Sequence, residues 1–210
     1  MSRSQDRPVY ASLSEAVRYG TIDAVRDMIA KGADVNAKDR AGCTALMYAA
    51  EHGSAETVRA LIEAGASLEA RNSDGWTAIM CAASDAAAEA LIAAGADVNA
   101  AADDGTTVLM RAAMARSAGT VRALVKAGAD ANARNGKGLT PLMWAAAVSP
   151  DPDAVMALIA EGADPAAKDG SGRTASDHAR RNERLKGAGV LRTLEKGSRG
   201  QTGGAGILGG

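Results

Sequence analysis

Glycine followed by alanine and a polar residue returns along this chain at a nearly fixed interval. GADVNAK begins at Gly32, GASLEAR at Gly65, GADVNAA at Gly95, GADANAR at Gly128 and GADPAAK at Gly162, with spacings of 33, 30, 33 and 34 residues. A unit this short cannot bury a hydrophobic face by itself, so it must stack on its neighbours and share one layered core with them. Aromatics are only 2% of the chain and Phe is absent. A core of Ala, Leu, Ile, Val and Met fits many thin layers better than one thick globule.

A second landmark precedes each of the last four of these glycines: GCTALMYAA from Gly42, GWTAIMCAA from Gly75, GTTVLMRAA from Gly105 and GLTPLMWAA from Gly138. Each unit therefore reads as a turn, a short Ala-rich helix, a loop and a second helix that stops at glycine. In TVRALIEAGA, Val58, Leu61 and Ile62 fall at i, i+3 and i+4, one apolar stripe of an amphipathic helix, and Gly65 supplies the left-handed residue that ends it. Val121, Leu124 and Val125 repeat the stripe before Gly128, as Val25, Met28 and Ile29 do before Gly32. Thr21, Ser54, Asp85, Ser117 and Asp151 are the expected caps of the second helices, with Pro152 at a first helical position.

These landmarks resemble the ankyrin repeat, whose consensus runs G-x-T-P-L-H-x-A-A and closes in G-A-D-V-N-A. Met47, Met80, Met110 and Met143 stand where the family's usual His would be. The resemblance implies an all-α solenoid of six helix-turn-helix units over residues 8–196, divided near 8–38, 39–71, 72–101, 102–134, 135–168 and 169–196. The first unit lacks the G-x-T start and the last is unusually basic, so both read as caps on four internal repeats. Residues 1–7 are expected to be a flexible N-terminus and 197–210 a disordered Gly-rich tail.

No apolar run approaches the roughly 18 residues that span a bilayer, and no secretory signal opens the chain, so the cytoplasm is the default location. Cys43 and Cys81 are too few for a disulfide framework and read as reduced. Gly204, Gly206 and Gly209 keep a G-x-G-x-x-G spacing without the strand and helix that would aim amides at a pyrophosphate. His52 and His178 lie more than a hundred residues apart, which gives no zinc site and no Cys-His pair. No acid, base and oxyanion donor converge, so neither catalysis nor a cofactor is expected.

What remains is a surface. In the ankyrin family the turn tips and exposed sides of the first helices line a concave face that binds other proteins. Carried over unit by unit, that face holds Arg40 and His52, then Arg71, Asp74, Trp76 and Asp85, then Asp103, Asp104, Arg111 and Met114, and then Lys137. Trp76 occupies the turn position filled by Cys43, Thr106, Leu139 and Arg173 elsewhere. Interfaces concentrate energy in Trp, Tyr and Arg, which makes it the candidate anchor, against the alternative that it packs on the neighbouring turn. Tyr48 and Trp144 share a first-helix position with Cys81 and Arg111 and are expected to pack between helices.

The third unit is three residues short. Between Asn72 and Met110 the chain carries six acidic residues, Asp74, Asp85, Glu89, Asp97, Asp103 and Asp104, and no Lys or Arg. Because Leu91 and Ile92 keep their distance from Gly95, the second helix of that unit is expected to retain its end and lose its start. The resulting notch would seat a Lys- or Arg-bearing segment of a protein partner, or else be a tolerated loop deletion. The C-terminal stretch Lys168–Arg199 has nine basic and four acidic residues, a balance of 9 − 4 = +5. Nucleic acid or an acidic partner could meet it, although it lacks interleaved aromatics. The sequence reading is thus a monomeric, non-catalytic scaffold that binds a protein partner, with the basic cap as the alternative surface.

Overall fold

The structure is a computed structural model and describes residues 10–52, 54–114, 118–149, 151–185 and 189–200. The expected flexible segment 1–7, the cap Ser117 and the glycines of the tail motif lie outside these residues. Contacts group the chain into two compact units, Met1–Ala96 and Asp97–Gly210.

The first unit holds α1 (Leu13–Tyr19), α2 (Ile22–Ala30), α3 (Ala45–Glu51), α4 (Ala55–Glu63), α5 (Ala78–Cys81) and α6 (Asp85–Ala93). α3 packs between α1 and α5, while α4 packs on α2 and α6, so first helices form one row and second helices another. The second unit repeats this plan with α7 (Val108–Met114), α8 (Ala118–Lys126), α9 (Pro141–Val148), α10 (Pro152–Ala160), α11 (Ala175–Ala179) and α12 (Val190–Gly200). No strand occurs among the described residues, only an isolated bridge between Ala101 and Thr107. α12 carries regular structure to Gly200, past the expected domain end at 196.

The local signals explain these helices. Thr21, Ser54 and Asp151 cap α2, α4 and α10 with side-chain oxygens that accept first-turn amides, as exposed helix N-termini require. The stripe of α4 buries Val58 and Leu61 completely, each contributing about 1.5–3 kcal/mol. Met47, Met80, Met110 and Met143 are all at most 2% exposed and form the inner layer of the first helices.

The shortened unit differs from expectation. α6 has nine residues, the length of α4, whereas α5 has four against seven in α3. The deletion therefore removes the end of the first helix and leaves the second intact. Ser84, not Asp85, is the cap of α6, its hydroxyl accepting the Ala87 amide at 3.2 Å. Asp85 is the first helical residue, where a carboxylate meets the positive helix end. The loop that replaces the missing turn is anchored by the Ala83 amide, which donates to the Ala50 carbonyl at 3.1 Å.

Three pairs of successive repeats are fastened by an asparagine. The Asn36 amide donates to the Gly65 carbonyl at 3.1 Å and its oxygen accepts the Ser67 amide at 2.7 Å. Asn99 bonds Gly128 and Asp130 in the same way, and Asn132 bonds Gly162 and Asp164. At the opposite end of each repeat an Asx residue organises the turn. One oxygen accepts two amides, those of Ala41 and Cys43 at Asp39, of Asp74 and Trp76 at Asn72, of Lys137 and Leu139 at Asn135, and of Ser171 and Arg173 at Asp169. In the fourth repeat Ala102 takes that place, and Asp104 accepts the Thr106 amide at 2.8 Å instead.

Glycine at the turns also answers to the next turn. Gly138 has φ +72°, and a Cβ there would stand 2.9 Å from the Gly170 nitrogen; Gly65 has φ +88° with nothing within 4 Å of its Cβ position. Gly65→Ala should therefore cost about 1 kcal/mol from backbone strain alone. Gly138→Ala should cost clearly more, because two turns must separate. Asn132→Ala should cost about 1–2 kcal/mol through two lost hydrogen bonds. Urea unfolding of the three variants checks the order.

Asp169 gives the last turn an acid-sensitive joint. Its side chain is 2% exposed and its second oxygen meets His178 Nε2 and the Arg173 guanidinium, each at 2.9 Å. Burial alone would raise the carboxyl, but the Arg173 and Ser171 amides with the two side chains outweigh it and hold the acid far below the ordinary range. A folded value below the unfolded one means that the carboxylate stabilises the fold fully above about pH 4 and that this stability is lost as pH falls further. Asp169→Asn keeps the turn acceptor that Asn72 and Asn135 provide and loses the ion pair with Arg173. Its melting temperature should be lower than wild type at neutral pH and fall less on acidification; equal acid sensitivity would remove Asp169 from the account.

Candidate functional site

In the first unit the two turn tips are adjacent, since the Ser73 amide donates to the Ala41 carbonyl at 2.9 Å and Lys38 Nζ reaches the Arg71 carbonyl at 2.8 Å. Arg40, His52, Arg71, Asp74 and Asp85 are exposed, as expected of a binding face. Trp76 is half-buried, so only part of its indole is available to a partner. His52 turns one ring nitrogen back to the Tyr48 carbonyl at 2.8 Å. Cys43 and Cys81 are both free thiols, and Asn72 donates to Cys43 Sγ at 3.6 Å.

Tyr48 is not simply packed between helices. Its hydroxyl donates to Asp39 Oδ2 at 2.6 Å, which pushes the phenol well above its usual range and, with amide donors, holds the Asp39 carboxyl low. Arg18 lies over the Tyr48 ring at 4.8 Å and over the Tyr19 ring at 5.1 Å. Neither Arg18 nor Tyr19 was singled out from the sequence, because the first unit lacks the turn motif that sets the register. The signal was there: with Ser12 aligned on Thr44 as cap, Tyr19 falls at the exposed position of Glu51.

In the second unit Asp103 and Asp104 are exposed at a turn tip, and Arg111 and Met114 are half-buried on α7. The Gly136 amide donates to the Asp104 carbonyl at 3.1 Å. The Thr106 amide and hydroxyl lower the Asp104 carboxyl, with a smaller contribution from the Lys137 charge. This acid thus serves its own turn and has a cation nearby, so the acidic stretch read from sequence is partly compensated in space. Trp144 is half-buried and its Nε1 has no hydrogen-bond partner, which fits packing rather than recognition.

The basic cap is compensated too. Arg173 pairs with Asp169, and Arg180 pairs with Asp177 at 3.0 Å and Glu195 at 2.9 Å. No group of three or more metal-ligating side chains occurs among the described residues. No helix among them is long and apolar enough to cross a membrane.

A family model described as ankyrin repeats (3 copies) matches residues 13–102, 84–169 and 109–198. Among curated proteins none matches the chain. Among solved structures the chain resembles one chain of the Bd0816 predatory endopeptidase from Bdellovibrio bacteriovorus in complex with immunity protein Bd3460. The identity is 33%, the TM-score is 0.75, and the match covers 90% of this chain and 99% of that one. Ankyrin repeats are in general protein-interaction scaffolds, and the neighbour is itself part of a protein complex. With the glycine period, paired helices and Asn bridges in agreement with the family model, this chain belongs to the ankyrin-repeat family.

Proposed function

We propose that this chain is a non-catalytic scaffold that binds a protein through the face formed by its turn tips and first helices, and that the partner is a peptidase. The observation that carries the reading is the likeness, over nearly the whole of both chains, to a chain in a complex of an endopeptidase with an immunity protein. A helical repeat chain with no convergent catalytic groups among its described residues corresponds to the immunity protein of that pair rather than to the enzyme. Fold alone would name no partner.

On the first unit, Asp74 and Asp85 flank the turn and helix start on either side of Trp76 in sequence, and they suit a basic segment of the partner. Asp103, on the second unit, is an exposed acid of the same kind. The basic cap is the weaker alternative, because its best-placed arginines are spent on ion pairs within the fold.

The test is affinity capture from cells of the native organism, with nuclease present, using the wild-type chain and an Asp74→Lys variant. Asp74 is exposed, so the variant should keep its melting temperature. The wild type should retain a peptidase, and the variant should retain at least about tenfold less, as expected for a charge pair at an interface. Recovery of no peptidase would contradict the partner class; equal recovery by both proteins would contradict the face.

A further inference from the structure

The chain contains three tyrosines, and all of them meet at the start of the first unit. The Tyr10 hydroxyl donates to the Tyr19 carbonyl at 3.4 Å, Tyr19 is 67% exposed, and Arg18 is shared between the Tyr19 and Tyr48 rings. In a chain with so few aromatics, this is a concentration of the residue types that dominate binding energy.

The hydrogen-bonding capacity of the cluster is unequal. Asp39 is filled: one oxygen takes the amides of Ala41 and Cys43, and the other takes the Tyr48 hydroxyl. Glu15 is partly used as well, one of its oxygens accepting the Ala11 amide at 2.6 Å beside the start of α1. Arg18 is exposed and lies over the two rings, and although its charge helps to hold the Asp39 carboxyl low, it makes no hydrogen bond or close ion pair among the described residues. The two ring contacts, measured at the guanidinium carbon, commit none of its N–H donors to a hydrogen bond among the described residues. They also restrict the side chain beforehand, so less entropy is lost when an acceptor arrives.

We infer that Arg18, Tyr19 and Tyr48 form an anchoring site for an acidic segment of a protein partner, with a carboxylate on the Arg18 fork and a neighbouring apolar side chain on the exposed Tyr19 ring. A carboxylate is the acceptor whose two oxygens match the guanidinium edge. An apolar neighbour is required because a large exposed aromatic surface gains little from a purely polar ligand. The site rests on the protein-binding reading above, but its chemistry is opposite to that of the acids around Trp76, so the two are separable.

The probe is a phage-displayed library of random 12-residue peptides selected on the immobilised full chain, followed by calorimetric titration of the recovered peptides. Recovered sequences should place Asp or Glu beside an apolar residue. Arg18→Ala should weaken them at least about tenfold, the loss expected for one charge-assisted bidentate contact. Arg18→Lys should rescue little, since it restores the charge without the planar fork. Tyr19→Ala, at a side chain too exposed to matter for folding, should weaken binding several-fold and guards against a general effect of changing Arg18. Undiminished binding by Arg18→Ala, or recovery of no peptide, would overturn the site. A basic consensus lost in Asp74→Lys would also overturn it while upholding the broader reading of the face.

Discussion

The Asn bridge between consecutive turns is the interaction that sets the spacing of the repeats at three of their junctions, with Glu69 at the corresponding position of the second repeat. A single helix pair of this size buries one side of each helix and leaves the other open, so its stability comes from the next pair. The Asn36, Asn99 and Asn132 amides set the spacing of that contact by donating to a carbonyl and accepting an amide of the following turn. Because both partners are backbone groups, the bridge fixes register without constraining the side chains of the turn. The small inner residues follow from the same geometry: Ala49, Ala50, Ala112, Ala113, Ala145 and Ala146 are buried where first helices meet closely.

The three-residue deletion shows how the layers tolerate change. The second helix carries the apolar stripe that meets its neighbours, and α6 keeps Leu91 fully buried over its full length. The residues of the second repeat without a counterpart here include the exposed Glu51 and His52, so α5 is the element that shortens. The Ala83 amide then bonds Ala50 and replaces part of what the missing turn supplied. Thr77, at the head of α5, has a buried hydroxyl with no hydrogen-bond partner.

The period, the stripes and most of the caps were legible in the sequence because each depends on residues close in the chain. The placement of the deletion was not, since the stripe of α6 fixes where that helix ends and says nothing of where α5 stops. Ser84 lost to Asp85 in the reading because both are capping residues, and the choice rests on one φ/ψ setting. The acidic stretch was legible as a charge run, but compensation of Asp104 by Thr106 and Lys137 comes from turn geometry. The Arg18 cluster was hidden for a related reason: Tyr48 and Arg18 lie thirty positions apart and meet only when α1 packs on α3.

The repeated face therefore combines a rigid backbone frame with side chains that the frame does not use. Asx residues and Asn bridges consume the polar groups of the turns, while Arg18, Tyr19, Arg40, Asp74 and part of Trp76 remain at the surface. Hydrogen–deuterium exchange of the chain, free and bound to its captured partner, tests this division most directly. The account predicts slowed exchange at the turns around residues 39–43 and 72–76 and along α1 and α3, with α4 and α6 unchanged. Protection confined to the second helices would contradict it.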